Sequence, residues 1–176
     1  MILFRHCDRR FPFLWEAPSQ PAARWHADGE GPAQYLADTP SGAWAEFLRH
    51  EGITHEADLA GVERALWAVD VAVDTIAFGV PALAPSTGIG GITSYPKCQA
   101  EAKRLRAGGA QGVRAKSAAL LPGGAAGWMV DGGEKEAATK DGEVFAVFGR
   151  RPDFVGWPVV EAGRPPARVL PRVRKL

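Results

Sequence analysis

Ala23-Arg24-Trp25-His26, Asp28-Gly29-Glu30-Gly31-Pro32, Gln34-Tyr35-Leu36-Ala37 and Asp38-Thr39-Pro40-Ser41 follow one another almost without interruption, and together they set the kind of fold to expect. The first group predicts a short extended piece, in which alternation would send Arg24 and His26 to one side and Trp25 to the other. The second, with two glycines before a proline, is a turn. The third is a strand, and the fourth starts a helix: Asp38 or Thr39 can cap it, and Pro40 suits its first turn. That helix runs to about Glu51 and stops at Gly52. Trp44, Phe47 and Leu48 recur at helical spacing and form its buried stripe. Glu46 stands on the flank of the stripe, where a carboxylate reaches a cleft between helix and sheet without entering the core.

Working outward, Met1 to Phe4 predicts a short edge strand, and Phe11 to Pro21, rich in proline and aromatics, an ordered loop. Leu66 to Phe78 carries a period-two apolar set punctuated by Asp70 and Asp74, read as two strands or one bent one. Pro81 to Tyr95 is a loop full of Gly, Pro, Ser and Thr. Tyr95 and Pro96 open a second helix, Lys97 to Arg106, which Gly108-Gly109 end. Gly112 to Ala118 predicts a short strand running into a turn, and Leu121 to Glu143 a surface excursion. Val144 to Phe148 is a core strand. Trp157 to Val160 and Arg168 to Leu170 add short edge strands, where prolines are tolerated. There is no repeat and no boundary that splits the chain. The expected fold is therefore α+β: one mixed α/β domain over residues 1–176, with its core at about 4–148 and a basic extension at 150–176.

Composition narrows the function classes. Of the 176 residues, 46% are apolar and 23% charged, as in ordinary globular domains. No segment approaches the roughly 18 to 20 apolar residues that cross a bilayer, and residues 1–10 lack the pattern of a secretory signal. Cys7 and Cys98 predict free thiols in a reducing compartment. With His6, His26, His50 and His55 they form no zinc spacing, and no metal is expected. Net charge is only +1, yet seven basic residues between Arg150 and Leu176 face just Asp153 and Glu161. Prolines break up those charges and no aromatics interleave them, so they predict a solvated tail packed on an acidic face of its own domain or of a partner, and no direct nucleic-acid binding. The clusters Gly88-Ile89-Gly90-Gly91, Gly108-Gly109 and Gly123-Gly124 match neither a dinucleotide fingerprint nor a phosphate loop. Ser117 is in no GxSxG elbow. What remains is Arg24, Tyr35, Glu46 and Ser117, each tied to a predicted element. Taken singly, each is as well explained as a surface, core or turn residue.

Ala23-Arg24-Trp25-His26, then Gly31-Pro32, Tyr35-Leu36-Ala37 and Ser41 to Glu46, resemble the opening signature of the RES domain, a family named for an Arg, a Glu and a Ser. The likeness continues through Leu66 to Asp74, Pro96 to Ala107 and Gly112 to Ser117, and closes with Val144 to Phe148. It makes Arg24, Glu46 and Ser117 the three naming residues and places Tyr35 at the family's tyrosine. It implies a fold like that of ADP-ribosyltransferase toxins and NAD as substrate. The nicotinamide N-glycosidic bond would be cleaved with phosphate or water as acceptor, or ADP-ribose passed to a protein. It also implies the toxin half of a cytoplasmic toxin–antitoxin pair, neutralised by a helix-turn-helix (Xre-like) antitoxin, often within a larger oligomer. On that basis Arg24 meets the pyrophosphate and Tyr35 lies against nicotinamide or its ribose. Glu46 stabilises positive charge on the ribose, and Ser117 bonds phosphate or ribose, with Arg5 or His26 assisting at phosphate. Ala23 and His26 depart from the family's usual Gly and Asn, and Leu121 to Glu143 is longer than its usual connection. These departures leave open a degenerate, non-catalytic binding or regulatory module.

Overall fold

The computed structural model describes residues 1–175. In chain order the elements are β1 (Ile2–Cys7), β2 (Ala33–Ala37), α1 (Pro40–His50), β3 (Arg64–Asp70), β4 (Phe78–Gly79), α2 (Pro85–Gly88), α3 (Tyr95–Ala107), β5 (Gly112–Lys116), β6 (Trp128–Val130), β7 (Glu134–Glu136), β8 (Glu143–Phe148) and β9 (Val155–Gly163). Seven strands form one mixed sheet in the order β4-β5-β8-β2-β1-β3-β9, while β6 and β7 make a separate hairpin. Only β4 and β5 pair in parallel.

The first strand is not at an edge. β1 lies between β2 and β3 and pairs with β3 from Ile2↔Asp70 to Cys7↔Ala65. The reason is two-sided burial: Leu3 packs with Leu36, Val69, Phe145 and Val147 on one face, whereas Phe4 packs against the α1 cluster on the other. A continuous apolar run is what a strand covered on both faces needs. The Leu66–Phe78 region is two strands: β3 beside one edge and β4 at the opposite edge, joined by a 3₁₀ turn at Val73–Thr75. The outer edge is β9, where Pro158 costs no ladder bond to a further strand.

The two long helices share one face of the sheet. Trp44, Phe47 and Leu48 of α1 are buried with Ala37, Leu66, Leu120 and Val169, as the helical stripe predicts. Thr39 caps α1 by accepting the Gly42 N–H at 3.1 Å, and Gly52 ends it with φ at +65°. From α3, Cys98 and Ala102 pack on Trp25, Val113 and Ala146. The opposite face is closed by the loop before β2, whose Phe13 stacks on Trp67 at 4.7 Å. Buried Gln34 holds that loop through both the N–H and the carbonyl of Trp15.

Three local expectations are corrected. Ala23 to His26 is a tight turn closed by reciprocal Ala23–His26 backbone bonds of 3.0 and 3.4 Å, so strand alternation does not apply to it. The Pro81–Tyr95 loop contains α2 and a 3₁₀ turn at Ile92–Ser94. Residues 168–170 lie in a 3₁₀ turn, Ala167–Arg172, because Pro166 before it and Pro171 within it leave no run of donors for a ladder. The basic extension is correspondingly no loose tail: β9 joins the sheet, and Val169 is buried against α1.

Candidate functional site

The site forms where α1, the end of β5 and the Pro81–Tyr95 loop converge on the helical face of the sheet. Glu46 projects from α1, and Ser117 stands one residue past β5. The Ser117 hydroxyl donates to Glu46 Oε1 at 2.9 Å and accepts the N–H groups of Ala119 and Leu120, each at 3.2 Å. One donor and both lone pairs are then used. Ser117 thus holds the carboxylate, and its hydroxyl has no proton left to offer a phosphate.

Arg24 comes in from the Ala23–His26 turn. Its guanidinium donates to Gly90 O at 2.7 Å and Ser94 Oγ at 3.2 Å, and lies 4.9 Å from the centre of the Tyr95 ring. A second guanidinium, that of Arg49, meets it on the same carbonyl: Arg49 donates to Gly90 O and Ile89 O at 3.1 Å and to Ala118 O at 2.5 Å. Both arginines are below a tenth exposed. They pin the glycine-rich loop to α1 and to the Ser117 turn, leaving two fixed positive charges beside Glu46. Among the described residues neither makes a contact ion pair with the carboxylate. Packed protein around Glu46 pushes its carboxyl above the ordinary value. The Ser117 bond and the charges of Arg24 and Arg49 pull the other way, less strongly.

A desolvated carboxylate with two fixed guanidiniums nearby suits cleavage of a bond that builds positive charge next to an anionic group. The sequence model of the RES domain matches residues 2–167. This chain belongs to the RES domain family. No curated protein matches its sequence. Its fold is similar to that in the crystal structure of the M. tuberculosis MbcT-MbcA toxin-antitoxin complex, with a TM-score of 0.54 and 18% identity. The similarity covers 91% of this chain and 84% of that one. At that identity the likeness is one of fold. The family match reaches beyond Phe148 to take in β9.

Within this RES domain the six sequence-predicted residues separate into groups. Arg24, Glu46 and Ser117 are brought together, from positions far apart in the chain. Tyr35 lies beneath them, but its hydroxyl accepts the Trp25 N–H at 2.8 Å and pairs with His26 Nδ1 at 3.0 Å. It therefore braces the turn that carries Arg24. His26 is fully buried, so it reaches no phosphate and acts through Tyr35. Arg5 points to the other face of the sheet, because β1 alternation sends Phe4 towards α1 and its neighbours away. There Arg5 donates to Tyr35 O at 3.2 Å, and burial lowers its guanidinium to about 10. It is a structural residue of the far face. Arg49 is a further member of the site, one that no motif marks; its place three residues after Glu46 on α1 puts it on the same side of the helix.

A cavity of 320 Å³ opens beside the cluster, with Trp25, Leu83, Ile89, Ser117, Leu120 and Arg174 in its wall. Arg24 and Glu46 do not line it. Ser117, which bonds Glu46, is shared by the cluster and the cavity wall. Among the described residues no group of three or more His, Cys, Asp or Glu stands close enough to hold a metal ion. No helix there is long and apolar enough to cross a membrane.

Proposed function

We propose that this RES domain consumes NAD by cleaving the bond between nicotinamide and ribose. The observation that carries the reading is the Ser117-held carboxylate of Glu46 beside the paired guanidiniums of Arg24 and Arg49. As the glycosidic bond breaks, its electron pair passes to the nicotinamide nitrogen and neutralises the ring, while positive charge develops at the ribose carbon. Glu46 faces that charge, and a fixed carboxylate stabilises it more as it grows. A phosphate oxygen then bonds to the carbon to give a phosphorylated ADP-ribose. With water as acceptor the product is ADP-ribose, and Glu46, with its raised pKa, is suited to take the proton. The arginines supply charge for the pyrophosphate from fixed positions, because Gly90 O and Ser94 Oγ hold Arg24 and three backbone carbonyls hold Arg49.

A fold like that of ADP-ribosyltransferase toxins fits a mixed sheet with both helices on one face. A solved structure of similar fold is that of a toxin-antitoxin complex, which supports an antitoxin partner for the present chain. The resemblance of its signature to the RES domain adds the helix-turn-helix (Xre-like) type, and the two unpaired, buried cysteines are in keeping with a cytoplasmic setting. The test is NAD consumption by purified protein with and without phosphate, products identified. Arg24→Ala and Glu46→Gln should each lower the rate by about 100-fold or more. NAD left intact by the unmodified protein under both conditions refutes the degrading activity, and label appearing on a protein would redirect it to ADP-ribosyl transfer.

A further inference from the structure

The basic C-terminal segment returns to the site. Leu121 N–H donates to Arg172 O at 2.8 Å and Arg174 N–H to Ala119 O at 2.6 Å, with Val173 bridging Leu120 in antiparallel register. These bonds stitch the segment to the residues that follow Ser117. Below them Val169 is buried against α1, and Arg172 pairs with Glu136 and donates to Ala126 O at 3.2 Å. So anchored, Arg174 enters the cavity wall alongside Ser117, Leu120 and Ile89. Its Nη2 donates to Leu120 O at 3.2 Å, and its Nε is buried with no hydrogen-bond partner among the described residues. Burial first, then the charge of Arg24, lowers the pKa of Arg49, and the charge of Arg174 acts in the same direction.

The charge balance around the cavity is lopsided. Lys116 is matched by Asp141 at 3.2 Å. Arg24, Arg49 and Arg174 have only Glu46 among them. Arg49 gives three bonds to carbonyls and Arg24 two, to Gly90 O and Ser94 Oγ, whereas Arg174 gives one bond to the protein, so it has the most donors left for a ligand. The rest of the wall is apolar: Val80, Pro81, Leu83, Pro85, Ile89 and Leu120. A volume of 320 Å³ lies at the small end of ligand sites and takes one half of a dinucleotide. We infer that Arg174 binds the pyrophosphate of a nucleoside diphosphate whose ring system enters this apolar cavity, so that the C-terminal segment completes the substrate site. The inference deepens the NAD reading and rests on it for the identity of the substrate. Arg174 itself lies beyond the residues that the family model matches.

Titration of the full-length protein with ADP, and with adenosine as the phosphate-free counterpart, tests it. Arg174→Gln keeps a donor for Leu120 O but removes the charge. It should weaken ADP binding by about ten-fold or more and leave adenosine binding unchanged, while KM for NAD rises and kcat stays within a few-fold. Arg174→Lys should recover part of the loss, and exposed Lys175→Ala should resemble wild type. ADP affinity indifferent to Arg174→Gln in a protein that still consumes NAD overturns the inference, as does wild type that binds no ADP. ADP bound through Arg174 by a protein that leaves NAD intact upholds this site and refutes the NAD-consuming function.

Discussion

Glu46 has a raised folded-state pKa, so the chain takes up a proton there on folding at pH values above the ordinary 4.5. Its ionised form costs stability, and the cost grows as pH rises from that value through the raised one. Glu46→Gln keeps an acceptor for the Ser117 hydroxyl and removes the charge. Its Tm should therefore exceed wild type at neutral pH, with the gap closing as pH falls towards 4.5. A thermal-melt series showing the same Tm difference at every pH would mean that the carboxylate carries no such strain. A desolvated carboxylate with a raised pKa beside two arginines is the kind of perturbed group that clusters at functional sites.

At the scale of elements, α1 carries both Glu46 and Arg49 on the side turned to the loop, while Trp44, Phe47 and Leu48 fasten it to the sheet. Its start depends on one side chain, since Thr39 Oγ1 accepts the Gly42 N–H. Thr39→Ala should lower unfolding free energy by about 1 kcal/mol in urea titration. This helix was legible down to its cap and its glycine stop, because capping and periodicity are local properties. The Ala23–His26 turn was not legible. Its conformation depends on the Tyr35 hydroxyl, which belongs to the next strand and accepts the Trp25 N–H.

Across the whole molecule, the interior strand β1 places His6 between Phe47, at 5.3 Å, and Arg64, whose guanidinium donates to Nδ1 at 3.3 Å. Burial first, then the charges of Arg64, Arg5 and His50, lower its pKa from 6.5 to about 3. A histidine depressed in this way contributes stability that is complete above pH 6.5 and is lost as pH falls towards 3. His6→Gln retains an acceptor for Arg64 and cannot be protonated. Chemical denaturation across this range should show wild type losing stability relative to the variant as the solution is acidified. A constant difference would place the acid sensitivity elsewhere.

Local pattern was enough for the two long helices, most of the strands and the membership of Arg24, Glu46 and Ser117 in one signature, since these depend on neighbours a few residues away or on short motifs; α2 was not among them. Strand order could not be read there. Met1 to Phe4 looks the same at an edge or at the centre until the partners on both sides are known. Only the tertiary structure removed Arg5 and His26 from the cleft, added Arg49, turned the Ser117 hydroxyl onto Glu46 and brought Arg174 back to the cavity wall. Each of those outcomes depends on which face of a seven-stranded sheet a side chain meets and on bonds between segments up to 71 residues apart. Local pattern does not encode contacts of that range; packing decides them.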